Sequence, residues 1–144
     1  MSRDNEAIDQ TFNEYVQAFQ TLDPRSVAPY CDVPFLFIAP SGTRVMTTSD
    51  EVESLLSVMM AALKARDYAR SEITDMNVTR MSESSALVSV RRIRYRTDGA
   101  ELERLGETYT LRKVDHAWKL VAALVHDADA IIGLASGFGE KKGV

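Results

Sequence analysis

The chain has 144 residues, 45% of them hydrophobic, which suits one domain built on one core. Its net charge of −4 argues against a general nucleic-acid surface. Its single cysteine, Cys31, excludes an internal disulfide and a multi-cysteine metal site. No apolar run approaches the ~20 residues of a membrane span, and the polar start MSRDNEAIDQ lacks the apolar stretch of a signal peptide; the expected location is cytoplasmic.

The first helix is expected from Asp4 or Asn5 to about Thr21. Ile8, Phe12, Tyr15, Val16 and Phe19 recur at helical spacing, while Asp9, Asn13, Glu14 and Gln17 fall on the wet side. Asp23 reads as an N-cap with Pro24 at the first helical position, opening a short helix to about Tyr30. Phe35, Leu36, Phe37 and Ile38 form a dense apolar strand that stops at Pro40, Ser41 and Gly42. A short strand over 44–47 follows. Thr48, Ser49 and Asp50 then offer caps for a helix from about Asp50 to Arg66, with Glu51 and Glu53 near its positive end. Its buried face is Val52, Leu55, Leu56, Met59, Met60 and Leu63.

Strands are expected over 69–81, 86–97, 102–114 and 117–126. Asp98 and Gly99 supply a strong hairpin signal. Between Glu107 and Val125, apolar and polar residues alternate on both sides of a turn at Val114, Asp115 and His116, the mark of a sheet with two different faces. A small-residue helix is expected from Asp127 to Leu134. The domain is placed at 1–135, and 136–144 reads as a flexible tail. The order of elements describes an α+β fold: a cone-shaped, curved antiparallel sheet with helices packed on its concave face and an apolar cavity between them.

The arrangement resembles the nuclear transport factor 2-like superfamily, which includes ketosteroid isomerases and polyketide cyclases. The likeness is carried by Tyr15-Val16-x-Ala18-Phe19, by Leu22-Asp23, and by Tyr30-Cys31-Asp32 entering a strand that ends in Pro40-Ser41-Gly42. Gly106-Glu107-Thr108-Tyr109 and Trp118-Lys119-Leu120-Val121 complete it. The resemblance implies that Tyr15 stands where the isomerases place an oxyanion donor and Glu107 near their protonated acid. The residue matching their general-base aspartate is Ala39, before Pro40, and an alanine takes no proton. Such a fold hosts many functions and settles none.

Several residues carry open alternatives. Tyr15 is either a core tyrosine with a paired hydroxyl or a pocket donor. Glu107, among Leu105, Tyr109 and Leu111, is buried and protonated, buried against an arginine, or on a face that is exposed or at a dimer contact. Arg92, Arg94 and Arg96 share a strand face with Val88 and Val90; Arg91 lies opposite. They form a solvated edge paired with Glu101, Glu103 and Glu107, or one arginine enters the cavity to grip a carboxylate or phosphate. His126 or Asp32 could stand in for the missing base, or serve as strand-end and turn residues. Cys31 reads as a small buried residue.

The expected ligand-binding wall is Phe12, Phe19, Phe35, Phe37, Met59, Leu63, Arg92, Tyr109 and Trp118, with Tyr15, Glu107, His126 and Asp32 as catalytic candidates. No phosphate loop, nucleophile elbow or metal-protease motif appears, so no cofactor or metal is expected. The leading expectation is a small-molecule-binding domain whose ligand is mainly apolar with a carbonyl or carboxylate. An isomerase, cyclase or hydratase-type lyase is the second, and a protein-interaction module the third. The expected partner is a second copy docked through the sheet.

Overall fold

The computed structural model describes residues 3–133. Helix α1 (Arg3–Gln20) forms on the expected stripe: Ile8, Phe12, Tyr15, Val16 and Phe19 are all buried. Asp23 caps α2 (Pro24–Val27) by accepting from the Arg25 amide, and a 3-10 turn (Ala28–Tyr30) follows. Helix α3 (Ser49–Ala65) opens on a capping box. Thr48 Oγ1 accepts from the Glu51 amide, and the Glu51 carboxylate accepts from the Thr48 amide in return. Val52, Leu55, Leu56, Met60 and Leu63 form its buried face.

The strands are β1 (Cys31–Ala39), β2 (Gly42–Met46), β3 (Tyr68–Arg80), β4 (Ser85–Arg96), β5 (Glu101–Val114) and β6 (Ala117–His126). They form a curved, unclosed six-stranded sheet in the order β2-β1-β6-β5-β4-β3. β1 begins four residues earlier than the apolar run of Phe35 suggests, because Cys31 already pairs with Leu120. Hairpins make every junction antiparallel except one. β1 meets β6 without a hairpin and runs parallel to it.

Register shifts mark bulges between Tyr68 and Arg70, Ile73 and Asp75, Arg94 and Tyr95, and Thr110 and Leu111. An extra residue in one strand bends it and deepens its twist, so these bulges curve the long hairpins around the helices. Ala86, Val88, Val90, Arg92 and Arg94 are the buried row of β4; Tyr109, Leu111 and Glu107 are that of β5. The core they share with α1 and α3 is continuous.

The helix expected from Asp127 to Leu134 does not form. Residues 127–133 run as turns, and Leu134 lies outside the described residues. Side chains of β4 take the backbone groups that a helix would need: Ser89 Oγ accepts from the Ile132 amide at 3.1 Å, and Arg91 Nε donates to the Ala128 carbonyl at 2.9 Å. The tail expected over 136–144 also lies outside the described residues. Among the described residues, no helix is long and apolar enough to cross a membrane.

Where the turns leave β6, Gly106 sits directly under them. A Cβ there would collide with the Asp127 carbonyl oxygen and the His126 ring. Gly106→Ala is therefore expected to lower unfolding stability by about 1–3 kcal/mol, read from a urea midpoint. An unchanged midpoint would show that the strap yields freely.

Candidate functional site

The inward row of β5 places Glu107 and Tyr109 on the same face, two residues apart, facing α1. On β4, Val90 lies opposite Glu107 and Val88 opposite Tyr109. Arg92, opposite Leu105, reaches diagonally back along this row. Its Nε donates to Glu107 Oε1 at 2.7 Å, and its Nη2 donates to the Tyr109 hydroxyl at 3.0 Å. Tyr15, from α1, donates to the same Tyr109 oxygen at 3.4 Å. Arg92 is 1% exposed and Glu107 4%, so the pair lies out of water. Of the alternatives for Glu107, the structure selects burial against an arginine.

Electrostatics follow from this burial. Desolvation opposes the Arg92 charge, but Glu107 and the two tyrosine oxygens outweigh it and raise its pKa above the usual value. Burial, then the Glu107 carboxylate, pushes the Tyr15 phenol well up. Burial, Glu107 and Tyr15 do the same to Tyr109. Both phenols therefore stay protonated as hydrogen-bond donors.

These groups border a cavity between the sheet and the helices. Its other walls are Phe19, Cys31, Phe35, Phe37, Met46, Val52, Leu55, Leu56, Met59, Arg94 and Ala123. About 30 Å³ is open to the centres of water molecules, within about 490 Å³ of non-atom space that includes the open mouth. The smaller figure limits a rigid occupant, and it corresponds to roughly two waters. Larger ligands require Met46 and Met59 to shift, which an unbranched thioether does readily.

Of the expected ligand wall, Phe19, Phe35, Phe37, Met59, Arg92 and Tyr109 line the cavity. Phe12 does not; it backs the wall, its ring centroid 5.1 Å from that of Tyr109. Leu63 is plain core. Trp118 is buried outside the cavity, with Arg80 over its ring at 5.3 Å and Lys113 at 6.0 Å. The cavity residues that the sequence reading left out are Cys31, Val52, Leu55, Leu56, Met46 and Ala123, most of them indistinguishable from core by pattern alone; Arg94, one of the arginines weighed for the cavity, joins Arg92 there.

The two substitute bases stand elsewhere. His126 is opposite Gly106, so it falls on the face away from Glu107. Its Nε2 meets Thr108 Oγ1 at 2.7 Å, which in turn meets Ser89 Oγ at 2.9 Å. Asp32 lines a separate surface hollow with Arg25, Ser49 and Glu53, and accepts from the Val33 amide. Cys31 borders both spaces; burial pushes its thiol up to about 12, so it is not a thiolate nucleophile. No three His, Cys, Asp or Glu side chains gather to hold a metal among the described residues.

A family described as NTF2-like protein (DUF6841) matches residues 4–128. The chain belongs to that NTF2-like family. No curated protein matches it. An NTF2-like protein with a cystatin-like fold from Novosphingobium aromaticivorans superposes with a TM-score of 0.71 at 15% identity, covering 92% of this chain and 84% of that one. Aln2 from a Streptomyces species gives 0.70 at 17% identity, covering 90% and 94%. A candidate dehydratase of the NTF2-like family from Streptomyces avermitilis gives 0.66 at 17% identity, covering 85% and 94%. At such identities these likenesses establish the fold.

Removing the carboxylate of this NTF2-like cavity should leave the Arg92 charge buried and uncompensated. Glu107→Leu is expected to cost about 3–5 kcal/mol, measured by chemical denaturation; a loss below about 1 kcal/mol would mean that Arg92 finds water instead. A second expectation concerns alkali. Cys31, Tyr15 and Tyr109 are held neutral in the fold, so the unfolded chain releases these protons first. For Cys31, stability is intact below its ordinary 9.0 and declines as pH rises from there to about 12. Cys31→Ala should flatten the decline in melting temperature across that window. The same slope in both proteins would contradict this account of the thiol.

Proposed function

We propose that this NTF2-like protein binds a small, mainly apolar molecule carrying a carbonyl or carboxylate. The reading rests on one observation: Tyr15, Tyr109, Arg92 and Glu107 converge on a space otherwise walled by aromatic, aliphatic and methionine side chains. An apolar pocket with a few convergent polar groups is the usual form of a ligand site. Tyr109 accepts from two donors, and its own proton remains to be given to an acceptor in the cavity.

A second reading, an isomerase, cyclase or hydratase-type lyase, is favoured by the placement of Glu107 beside Tyr15 and Tyr109. Proton abstraction is the difficulty. Among the described residues, Glu107 is the only carboxylate on the cavity wall, and it is committed to Arg92. The base position of the isomerases is Ala39, and neither His126 nor Asp32 borders the cavity. Binding without proton abstraction therefore accounts for the wall with fewer demands. In a found reaction, Tyr15→Phe and Glu107→Gln should each slow turnover; unchanged rates in both would remove the catalytic reading.

The binding reading is tested by native mass spectrometry of protein purified from cells. It predicts a mass excess of one small organic molecule, lost in Ala123→Phe, whose ring would fill the space beside Tyr109. A bare mass together with no melting shift on adding apolar ketones or acids would overturn it.

A further inference from the structure

On the cavity wall, a second donor is left over besides the Tyr109 hydroxyl. Arg94 is 7% exposed and its Nε, fully buried, has no hydrogen-bond partner. A buried N–H of a charged group left unpaired is costly, and native folds rarely leave one without cause. One end of the guanidinium is held. Its Nη1 donates to Glu103 Oε2 at 2.7 Å, across the β4–β5 register that sets Arg94 opposite Glu103. The Phe19 ring lies 6.0 Å from its central carbon.

The local charge is unbalanced. Glu103 pairs with Arg94 and also with Arg66, at 3.1 Å, so one carboxylate serves two guanidiniums. Arg66 is the more exposed of the two and is screened by water; Arg94 is not. Deeper in the cavity, Arg92 and Glu107 cancel each other. Of the wall's own charged side chains, Arg92, Arg94 and Glu107, Arg94 alone depends on a carboxylate off the wall, Glu103, which it shares with Arg66, and beside that shared pair sits an unused donor.

We propose that Arg94 makes the cavity selective for a short, apolar monocarboxylate, its Nε donating to one carboxylate oxygen while the hydrocarbon part lies against Phe19, Met59 and Leu56. This deepens the binding reading above and rests on it. A neutral carbonyl also offers Nε an acceptor, but the carboxylate offers a charged one, which makes the bond charge-assisted and about twice as strong. The pair would form out of water, where an unmatched charge is penalised most. The limited free volume restricts the acid to a short one.

The test is calorimetric titration with benzoate and hexanoate against their primary amides, benzamide and hexanamide, as neutral matches. The wild type should bind each acid at least about tenfold more tightly than its amide, the yield of one charge-assisted hydrogen bond. Arg94→Lys keeps the charge against Glu103 but has no Nε fork. It should lose most of that preference. In the unmutated protein, the Arg94 Nε–H resonance should shift further on adding benzoate than on adding benzamide, a measurement that needs no variant to fold.

Equal binding of acids and amides by the wild type, or a preference kept in Arg94→Lys, would overturn the role of Arg94 and leave the cavity reading standing. Failure of acids and amides alike to bind, with the Nε–H signal unmoved, would overturn both.

Discussion

The Arg92–Glu107 pair is the constraint around which the interior is arranged. Two opposite charges lie almost out of reach of water, joined at 2.7 Å. A buried pair of this kind rarely out-stabilises well-packed apolar residues of the same volume, yet removing one partner is severe. Its presence in the middle of an apolar layer therefore asks for a reason other than stability. The pair holds Tyr109 by a further bond, Tyr109 receives Tyr15, and the polar end of the cavity is complete. Apolar side chains at positions 92 and 107 would close that end.

The sheet separates two chemistries. Its inner face presents the arginine row of β4 to the cavity. Its outer face carries Ser89, Arg91, Thr108 and His126; Ser89, Arg91 and His126 bind the turns of 127–133, and Thr108 links Ser89 to His126. Asp75 and Asp129 both meet Arg91, which ties β3 to the same turns. A residue's role is thus decided by parity along its strand. Arg91 and Arg92 are neighbours in sequence; one is a surface clasp and the other the core of the site.

Much of this was legible in the residues. The stripe of α1, the Asp23 cap, the limits of β6 and the split of Arg91 from Arg92 all follow from periodicity and capping chemistry that local sequence encodes directly. Tyr15 and Glu107 could be named as neighbours only through the family resemblance, since they are far apart along the chain. What local pattern does not encode is how strands meet. The parallel β1–β6 junction has no turn signal. The register that puts His126 opposite Gly106, rather than opposite Leu105 on the face of Glu107, is set by bulges such as the one at Thr110 and Leu111. The segment 127–133 reads as a small-residue helix but runs as turns because its backbone groups are claimed by side chains on another strand. Leu55 and Leu63 belong to one apolar helix face, and only the tertiary packing makes the first cavity wall and the second core.

The proposed reading is that the ion-paired, hydroxyl-bearing end of this apolar cavity serves an occupant. A high-resolution crystal structure of the protein as purified from cells tests this most directly. The expected result is ordered electron density in the cavity, with an oxygen within hydrogen-bond distance of the Tyr109 hydroxyl or Arg94 Nε, and Arg92 still on Glu107. A cavity closed by its own side chains, with Arg92 and Glu107 turned apart toward solvent, would contradict it.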